Sequence, residues 1–406
     1  MEMTELTALL TRDGLALLDE VGPITSAAEV AKAVSRLRAA GHSPDLVSAV
    51  VGQAHLRAKA QAKFGEFADR MLFTRAGLEQ ATRLNVATLH AVRMRQAGIT
   101  HVTDLGCGIG GDSLAFAGAG LAVHAVDADE VTAAIAAYNL APFRDEATVS
   151  HGTAEEHAPD PERRDEGGEE AGTHAVWLDP ARRTAGHSET QRVAASDWSP
   201  ALDWCFDLAA RVPTGIKLGP GLDRELIPDE VEAQWVSADG SVVELVLWSG
   251  ALARDGIRRA ALVVRGDAMH ELTATADADD APVRELGAFL HEPDGAVIRA
   301  RLIGDAARML DAGMLDEQIA YLTGDAALTS PFVQSFRVRE TMAAHPKTIN
   351  AALRANDIGR LEIKKRGMDI DPAAFRKKLA LKGSQEATLI LTRTPAGRIA
   401  ILADRV

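Results

Sequence analysis

The stretch His101–Asp112, His-Val-Thr-Asp-Leu-Gly-Cys-Gly-Ile-Gly-Gly-Asp, holds the residues of this chain best suited to gripping a small charged ligand. An apolar strand runs into glycines, and a helix starts just behind them. Glycine lets the backbone turn tightly and approach a ligand with no Cβ in the way. The new helix offers unbonded N–H groups and the positive end of its dipole to an anionic group. Two spacings overlap here. Gly106, Gly108 and Gly111 fit the G-x-G-x-x-G of dinucleotide sites, while Gly106, Gly108 and Gly110 fit G-x-G-x-G. Asp104, two residues ahead of the first glycine, favours the second pattern. A carboxylate there accepts a hydrogen bond from the α-amino group of S-adenosylmethionine, whereas it would repel a pyrophosphate. Asp127, closing the next strand, suits the two hydroxyls of a ribose, which both cofactors carry. We therefore expect S-adenosylmethionine on this loop, with a nicotinamide dinucleotide as the rival. For the rival, His187 and His270 are candidate proton donors, and neither sits in a recognisable partner motif.

The second constellation is His174–Arg183, where a buried strand ends in Asp179-Pro180. The carboxyl edge of a parallel sheet is where open α/β folds bind ligands. Pro180 fixes its own backbone and restrains Asp179. An acidic side chain there can accept a hydrogen bond from an attacking nitrogen and aim its lone pair. In-line methyl displacement is governed by positioning and needs no strong base, so Asp179 and Pro180 are the candidate catalytic residues. A helix N-cap or turn residue is the plain alternative for Asp179.

These residues need a scaffold of alternating strands and helices, and the chain supplies one. Leu78–Arg95 reads as one helix, followed by strands at His101–Leu105, Leu121–Val126, Ala147–Ser150, Ala175–Leu178 and Gly215–Leu218 with helices between them. That alternation predicts a mostly parallel sheet in a Rossmann-like α/β core. Ala233–Val236 and Val242–Trp248 read as a closing hairpin on an Asp-Gly turn. The first 70 or so residues are helical: Ser26 and Glu29 have capping-box spacing, Gly41 reads as a C-cap, and Ser43-Pro44-Asp45 opens another helix. Beyond about Arg258 the regularity ends, Ala274–Asp280 reads as a linker, and a small α+β domain follows. The boundaries expected are 1–72 (helical), 73–268 (cofactor domain) and 281–406 (C-terminal domain).

At 406 residues, 47% hydrophobic and 25% charged, the composition is that of a globular protein of more than one domain. Cys107 and Cys205 are the only cysteines, which excludes a disulfide framework and a cysteine-rich zinc site. No metal site is expected. An acidic N-terminus and the lack of a long apolar run argue against a signal peptide or a spanning helix, so a cytoplasmic protein is expected. Glu155–Glu170, with eight acids, reads as a solvated loop.

Phe73–Thr82, the Asp104–Ala117 loop and helix, Leu178–Arg182, Ile216–Pro220 and Phe375–Leu379 together resemble the bacterial S-adenosylmethionine-dependent methyltransferases with a THUMP-like C-terminal domain. The core is also similar to trimethylguanosine synthases, which methylate a guanine exocyclic nitrogen. The resemblance implies that Asp104, Gly106, Cys107, Gly108 and Gly110 form the cofactor loop and that Asp127 holds the ribose. It also implies that Gln80 and Thr82 approach the cofactor from the preceding segment. Two departures stand out. Ala181 and Arg182 replace the aromatic that related aminomethyltransferases stack on the target base. Thr153 stands where many relatives have an aspartate for the adenine amino group.

THUMP-type domains bind RNA, so the resemblance implies an RNA partner. The charge distribution agrees. The whole chain carries a net −14, yet residues 331–406 hold 15 Lys+Arg against 7 Asp+Glu, an asymmetry that suits an anionic partner. Lys364-Lys365-Arg366 and Arg376-Lys377-Lys378 concentrate it. A solvated basic face is the plain reading of those clusters, and a non-catalytic RNA-binding protein that keeps the fold is the third reading of the whole.

Overall fold

Side-chain caps set where the N-terminal helices begin. Thr11, Ser26 and Ser43 accept hydrogen bonds from the amides of Gly14, Glu29 and Leu46, and Ser26 and Glu29 close a reciprocal capping box. In the computed structural model, which describes residues 1–159, 173–182 and 198–406, these caps open α2 (Arg12–Val21), α3 (Ala27–Ala39) and α4 (Pro44–Phe64) behind a short α1 (Met3–Leu9). The chain divides into two compact units. One is Met1–Leu218, Asp223–Val231 and Leu247–Ala253, and the other is Gly219–Leu222, Glu232–Val246 and Arg254–Val406.

In the first unit, the helix expected over Leu78–Arg95 is two helices, α5 (Arg75–Gln80) and α6 (Leu84–Gln96). The cause is Lys63 at the end of α4. Its ammonium donates to the carbonyls of Leu78, Glu79 and Ala81 at 2.9, 2.8 and 2.7 Å. In a continuous helix, the first two of those carbonyls would accept from the amides of Thr82 and Arg83. The interruption at residues 81–83 delivers Thr82 to the edge of the sheet.

The sheet of this unit is built from β1 (Ile99–Leu105), β2 (Ala122–Asp127), β3 (Ala147–His151), β4 (Thr173–Leu178) and β7 (Thr214–Leu218). Its order is β3-β2-β1-β4-β7 and all four pairings are parallel. Helices α7 (Gly111–Gly118), α8 (Glu130–Leu140), α9 (Ala154–His157) and α10 (Leu202–Ala209) connect the strands, and the short pair β5 (Ala181–Arg182) and β6 (Trp198–Ser199) follows β4. This is the mostly parallel Rossmann-like core expected from the alternation. Of the expected acidic loop, residues 160–170 lie outside the described residues, as does His187.

Aromatics are few, but three of the five tryptophans, Trp177, Trp235 and Trp248, are fully buried. The Trp177 ring packs at 5.6 Å on Trp248 and 5.7 Å on Phe116. Gly215 makes room for this stack, since a Cβ there would lie 2.7 Å from the Trp177 ring and 2.8 Å from that of Trp248.

In the second unit, β8 (Glu232–Ala238) and β9 (Ser241–Trp248, of which Leu247 and Trp248 belong to the first unit) join through Asp239-Gly240. Both turn residues have positive φ, 51° and 82°, as a type I′ hairpin requires. Strand β10 (Arg259–Arg265) runs parallel to β8, and β11 (Ala268–Ala274) antiparallel to β10. Sequence reading leaves β11 out because it shows no apolar alternation and only Leu272 is buried. The rest of the unit is β12 (Phe289–Pro293), α11 (Gly295–Arg299), α12 (Ile303–Met309), β13 (Gly313–Asp316), β14 (Ile319–Gly324), β15 (Val333–Ala343), α13 (Pro346–Ala355), β16 (Ile358–Lys365), α14 (Pro372–Arg376), β17 (Gln385–Thr394) and β18 (Gly397–Arg405). Its sheet order is β13-β14-β12-β15-β18-β17-β16. Among the described residues, no helix is long and apolar enough to cross a membrane.

Candidate functional site

The glycine loop leaves β1 and is held by two amides, Gly106 and Cys107, that both donate to the Val126 carbonyl at 2.9 Å. Gly106, Gly108 and Gly110 have φ of 89°, 57° and 83°, conformations that side-chain-bearing residues rarely adopt. Gly111 is the first residue of α7 and needs no such freedom. The backbone thus uses the glycines of G-x-G-x-G. Gly106 has a second constraint, for a Cβ there would sit 3.0 Å from the Asp179 carbonyl oxygen. The Asp179 amide in turn donates to Leu105 at 3.3 Å, so the glycine loop and the Asp-Pro motif abut. Cys107 is buried within the loop.

Asp104 lies beneath the loop and is 1% exposed. One carboxyl oxygen accepts from the Ser113 hydroxyl at 2.5 Å, and the other, Oδ1, is buried with no hydrogen-bond partner among the described residues. Burial pushes this carboxyl up to about 8, and the nearby Asp112 and Asp179 carboxylates add to the rise, against Ser113 and Lys217. A buried acceptor without a donor is costly. The α-ammonium group of S-adenosylmethionine is the complement such an atom needs, so the loop and its buried acid fit that cofactor.

Asp127 closes β2 and is partly exposed. Its two oxygens accept the Gly108 and Asp129 amides, each at 2.9 Å. Burial raises this carboxyl, and those two amides partly offset it. Each oxygen keeps a lone pair for a further donor. Asp127 therefore also braces the glycine loop, a role that its place in the sequence does not disclose.

The structure adds a charged network that sequence reading did not single out. Lys217, 8% exposed, projects from the end of β7. Its ammonium lies 2.5 Å from Asp179 Oδ2, 2.9 Å from the Thr82 hydroxyl and 3.5 Å from Asp112 Oδ2. Asp112, in the first turn of α7, also accepts from Thr82 at 2.8 Å and pairs with His90 Nδ1 at 2.8 Å. Burial pushes the Asp112 carboxyl up, but the Lys217 ammonium and the bonds from His90 and Thr82 hold it well below the usual carboxylate range. The His90 ring lies 4.5 Å from that of Trp177. The signal available in the sequence was one charged residue in an otherwise buried strand, Thr214–Leu218. The register pairs Leu178 with Ile216, which sets Asp179 beside Lys217.

Thr82 thus joins the network, with the Lys217 ammonium between it and Asp179. Gln80 is exposed at the end of α5, and no described contact ties it to the loop. Pro180 is buried behind Asp179. His270 is exposed on β11.

The basic end divides into two groups. Lys364 pairs with Glu292 at 2.6 Å, Arg366 reaches the same carboxylate at 3.5 Å and covers the Tyr321 ring, and Arg376 donates to the Leu361 carbonyl. Lys365, Lys377 and Lys378 are exposed. Asn350 of α13 donates to the Lys378 carbonyl at 3.0 Å and accepts from the Ala380 amide at 2.7 Å. Lys347 and Arg354, both exposed, lie three before and four after Asn350, on its face of the helix.

A parallel sheet with a positive-φ glycine loop after its first strand, a buried acid beneath that loop and an acid at the fourth strand's end defines a class I methyltransferase core. Two curated relatives, each named an uncharacterized S-adenosylmethionine-dependent methyltransferase, come from Mycobacterium tuberculosis strains CDC 1551 and H37Rv. Each is 34% identical to this chain over 374 residues, 90% of this chain and 96% of the relative. The chain belongs to the S-adenosylmethionine-dependent methyltransferases. A solved structure of a putative methyltransferase from Porphyromonas gingivalis W83 shares the fold, with a TM-score of 0.70 at 19% identity over 90% of this chain and 91% of that one. Residues 333–405 match the THUMP domain-like family, and residues 2–60 match a domain of unknown function. The cofactor is therefore S-adenosylmethionine, and the dinucleotide reading of the overlapping glycines is set aside.

Proposed function

We propose that this methyltransferase modifies RNA at a base nitrogen, with residues 281–406 helping to grip the substrate. The observation that carries the RNA reading is the THUMP domain-like match over residues 333–405, on a segment that presents Lys347, Arg354, Lys365, Lys377 and Lys378 to solvent. Exposed cations of this kind neutralise phosphates irrespective of sequence.

S-adenosylmethionine supplies an activated methyl group on a sulfonium. The residues we assign to holding it are Asp104 for the α-amino group, Gly106, Cys107, Gly108 and Gly110 with the start of α7 for the carboxylate, and Asp127 for the ribose hydroxyls. Gln80 and Thr82 stand on the segment leading to the loop. Asp179 accepts a hydrogen bond from the N–H of the incoming nitrogen and directs its lone pair, and Pro180 limits the freedom of the backbone that carries Asp179. The proton released on transfer leaves to solvent, and no buried base is required of the site.

The direct test incubates the purified full chain with tritiated S-adenosylmethionine and total RNA from a strain lacking the gene. Label in RNA that is recovered in a methylated base supports the reading. Label absent from RNA overturns it.

A further inference from the structure

We propose that Lys217 is a positioning residue for methyl transfer. Its buried ammonium holds the Asp179 carboxylate at the acceptor side and ties it, through Asp112 and Thr82, to the first turn of the helix behind the glycine loop. The inference rests on the reading of Asp179 as the group that meets the acceptor nitrogen.

Strand β7 is buried at every position from Thr214 to Leu218. An ammonium in such a strand carries a desolvation cost that a methionine or leucine would avoid, so packing alone gives no reason for a lysine. Its contacts explain it better. The described groups it touches are Asp179 after the end of β4, Asp112 in the first turn of α7 and Thr82 in the break between α5 and α6, and Asp179 and Asp112 both adjoin the glycine loop. Without Lys217, the Asp112 and Asp179 carboxylates, each close enough to Asp104 to raise it, would lose the ammonium they share. Among the described residues, the charges around this network include His90 from α6, paired with Asp112, and Lys63 from α4, which lies near Lys217, Arg83 and Glu79.

Two consequences follow for the reaction. A carboxylate pinned through Oδ2 by a short ion pair presents its acceptor lone pairs in one orientation, which is what aiming a nitrogen demands. Transfer from a sulfonium also disperses positive charge, so a carboxylate balanced by its own cation favours the starting charge less than a bare one does. The bridge to Asp112 and Thr82 makes the acceptor side and the cofactor side parts of one network rather than two separate sites.

The test uses the full chain labelled with 13Cγ-aspartate, with the Asp179 signal assigned by its loss in Asp179→Asn. Lys217→Met should make the Asp179 carboxyl at least roughly tenfold weaker as an acid, and Lys217→Arg should bring it back to within about threefold of the wild type. If Lys217→Met does not fold, Lys217→Met with Asp112→Asn, read against Asp112→Asn alone, serves in its place. An Asp179 titration unmoved by loss of the ammonium overturns the inference. The rate assay, with tritiated S-adenosylmethionine and RNA from the deletion strain, separates it from the reading beneath it. Asp179→Asn and Lys217→Met should each lower kcat, and the double variant should be no slower than Asp179→Asn alone. An unchanged rate in Asp179→Asn refutes the acceptor reading itself. A rate lowered in both singles and lowered again, multiplicatively, in the double variant refutes only the claim that Lys217 acts through Asp179.

Discussion

Cofactor affinity should depend on pH through Asp104. The free protein holds this carboxyl at about 8 because it is buried and shares its surroundings with Asp112 and Asp179. At pH 7 roughly nine molecules in ten then carry the proton, and ionising the group to meet the cofactor's ammonium costs about 1.4 kcal/mol, rising to about 2.7 kcal/mol at pH 6. Between pH 6 and pH 7 the dissociation constant should therefore fall by roughly tenfold, and close to one proton should leave per cofactor bound. Above about pH 8 the α-amino group of the ligand itself loses its charge, so affinity should pass through a maximum near that pH. Titration calorimetry in two buffers of different ionisation enthalpy measures both quantities. In Asp104→Asn the acid-side slope and the proton release should both vanish, with affinity reduced throughout. An affinity that is flat from pH 6 to 7 with no proton released would refute the assignment of Asp104 to the ammonium.

The same residue predicts a trade between stability and binding. Because its folded-state value lies above the unfolded one, the wild type loses stability as pH rises from about 4 toward 8, and Asp104→Asn should raise Tm most at the alkaline end, by thermal melts across that range. Asp127→Ala should weaken cofactor binding by about 1.5–3 kcal/mol for each ribose hydrogen bond lost. It should also loosen the loop, since the Gly108 and Asp129 amides lose their acceptor, which amide exchange at Gly108 would register. Asp179→Ala should leave cofactor affinity near the wild type and depress the transfer rate, and a variant that loses affinity while keeping its rate at saturating cofactor would mean the roles are exchanged. On the basic end, alanine at Lys365, Lys377 and Lys378 should flatten the log–log salt dependence of RNA affinity by about two units, at roughly 0.7 per phosphate contact. Lys364→Ala, which strips Glu292 of a partner, should lower Tm with little change in that slope.

The parts of this molecule legible in its sequence are those set by local periodicity and by residues with special backbone demands. Glycines at alternate positions, an acid two residues ahead and an Asp-Pro at a strand end depend on chain-local geometry, and the structure sets them side by side: Gly106 abuts the carbonyl of Asp179. The Ser26 capping box and the Asp239-Gly240 turn are of the same kind. What was not legible depends on pairings distant in the chain. Lys63 divides one apparent helix into α5 and α6 from 15 to 18 residues upstream. Lys217 meets Thr82 across 135 residues, and only the β4–β7 register brings it to Asp179. The Lys364–Arg366 cluster reads as a free basic face until Glu292, more than 70 residues earlier in the chain, takes two of its three charges. Strand β11, largely exposed, escapes for another reason: its pairing with β10 is made by backbone groups that side-chain patterning does not report.

The most direct test of the central claim is a mass-spectrometric comparison of the modified nucleosides in RNA from wild-type and deletion cells. One base-methylated nucleoside should be depleted in the deletion strain. It should return when the wild-type gene is restored and stay depleted when the restored gene carries Asp179→Ala. Nucleoside profiles that are identical in the presence and absence of the gene would contradict RNA as the substrate.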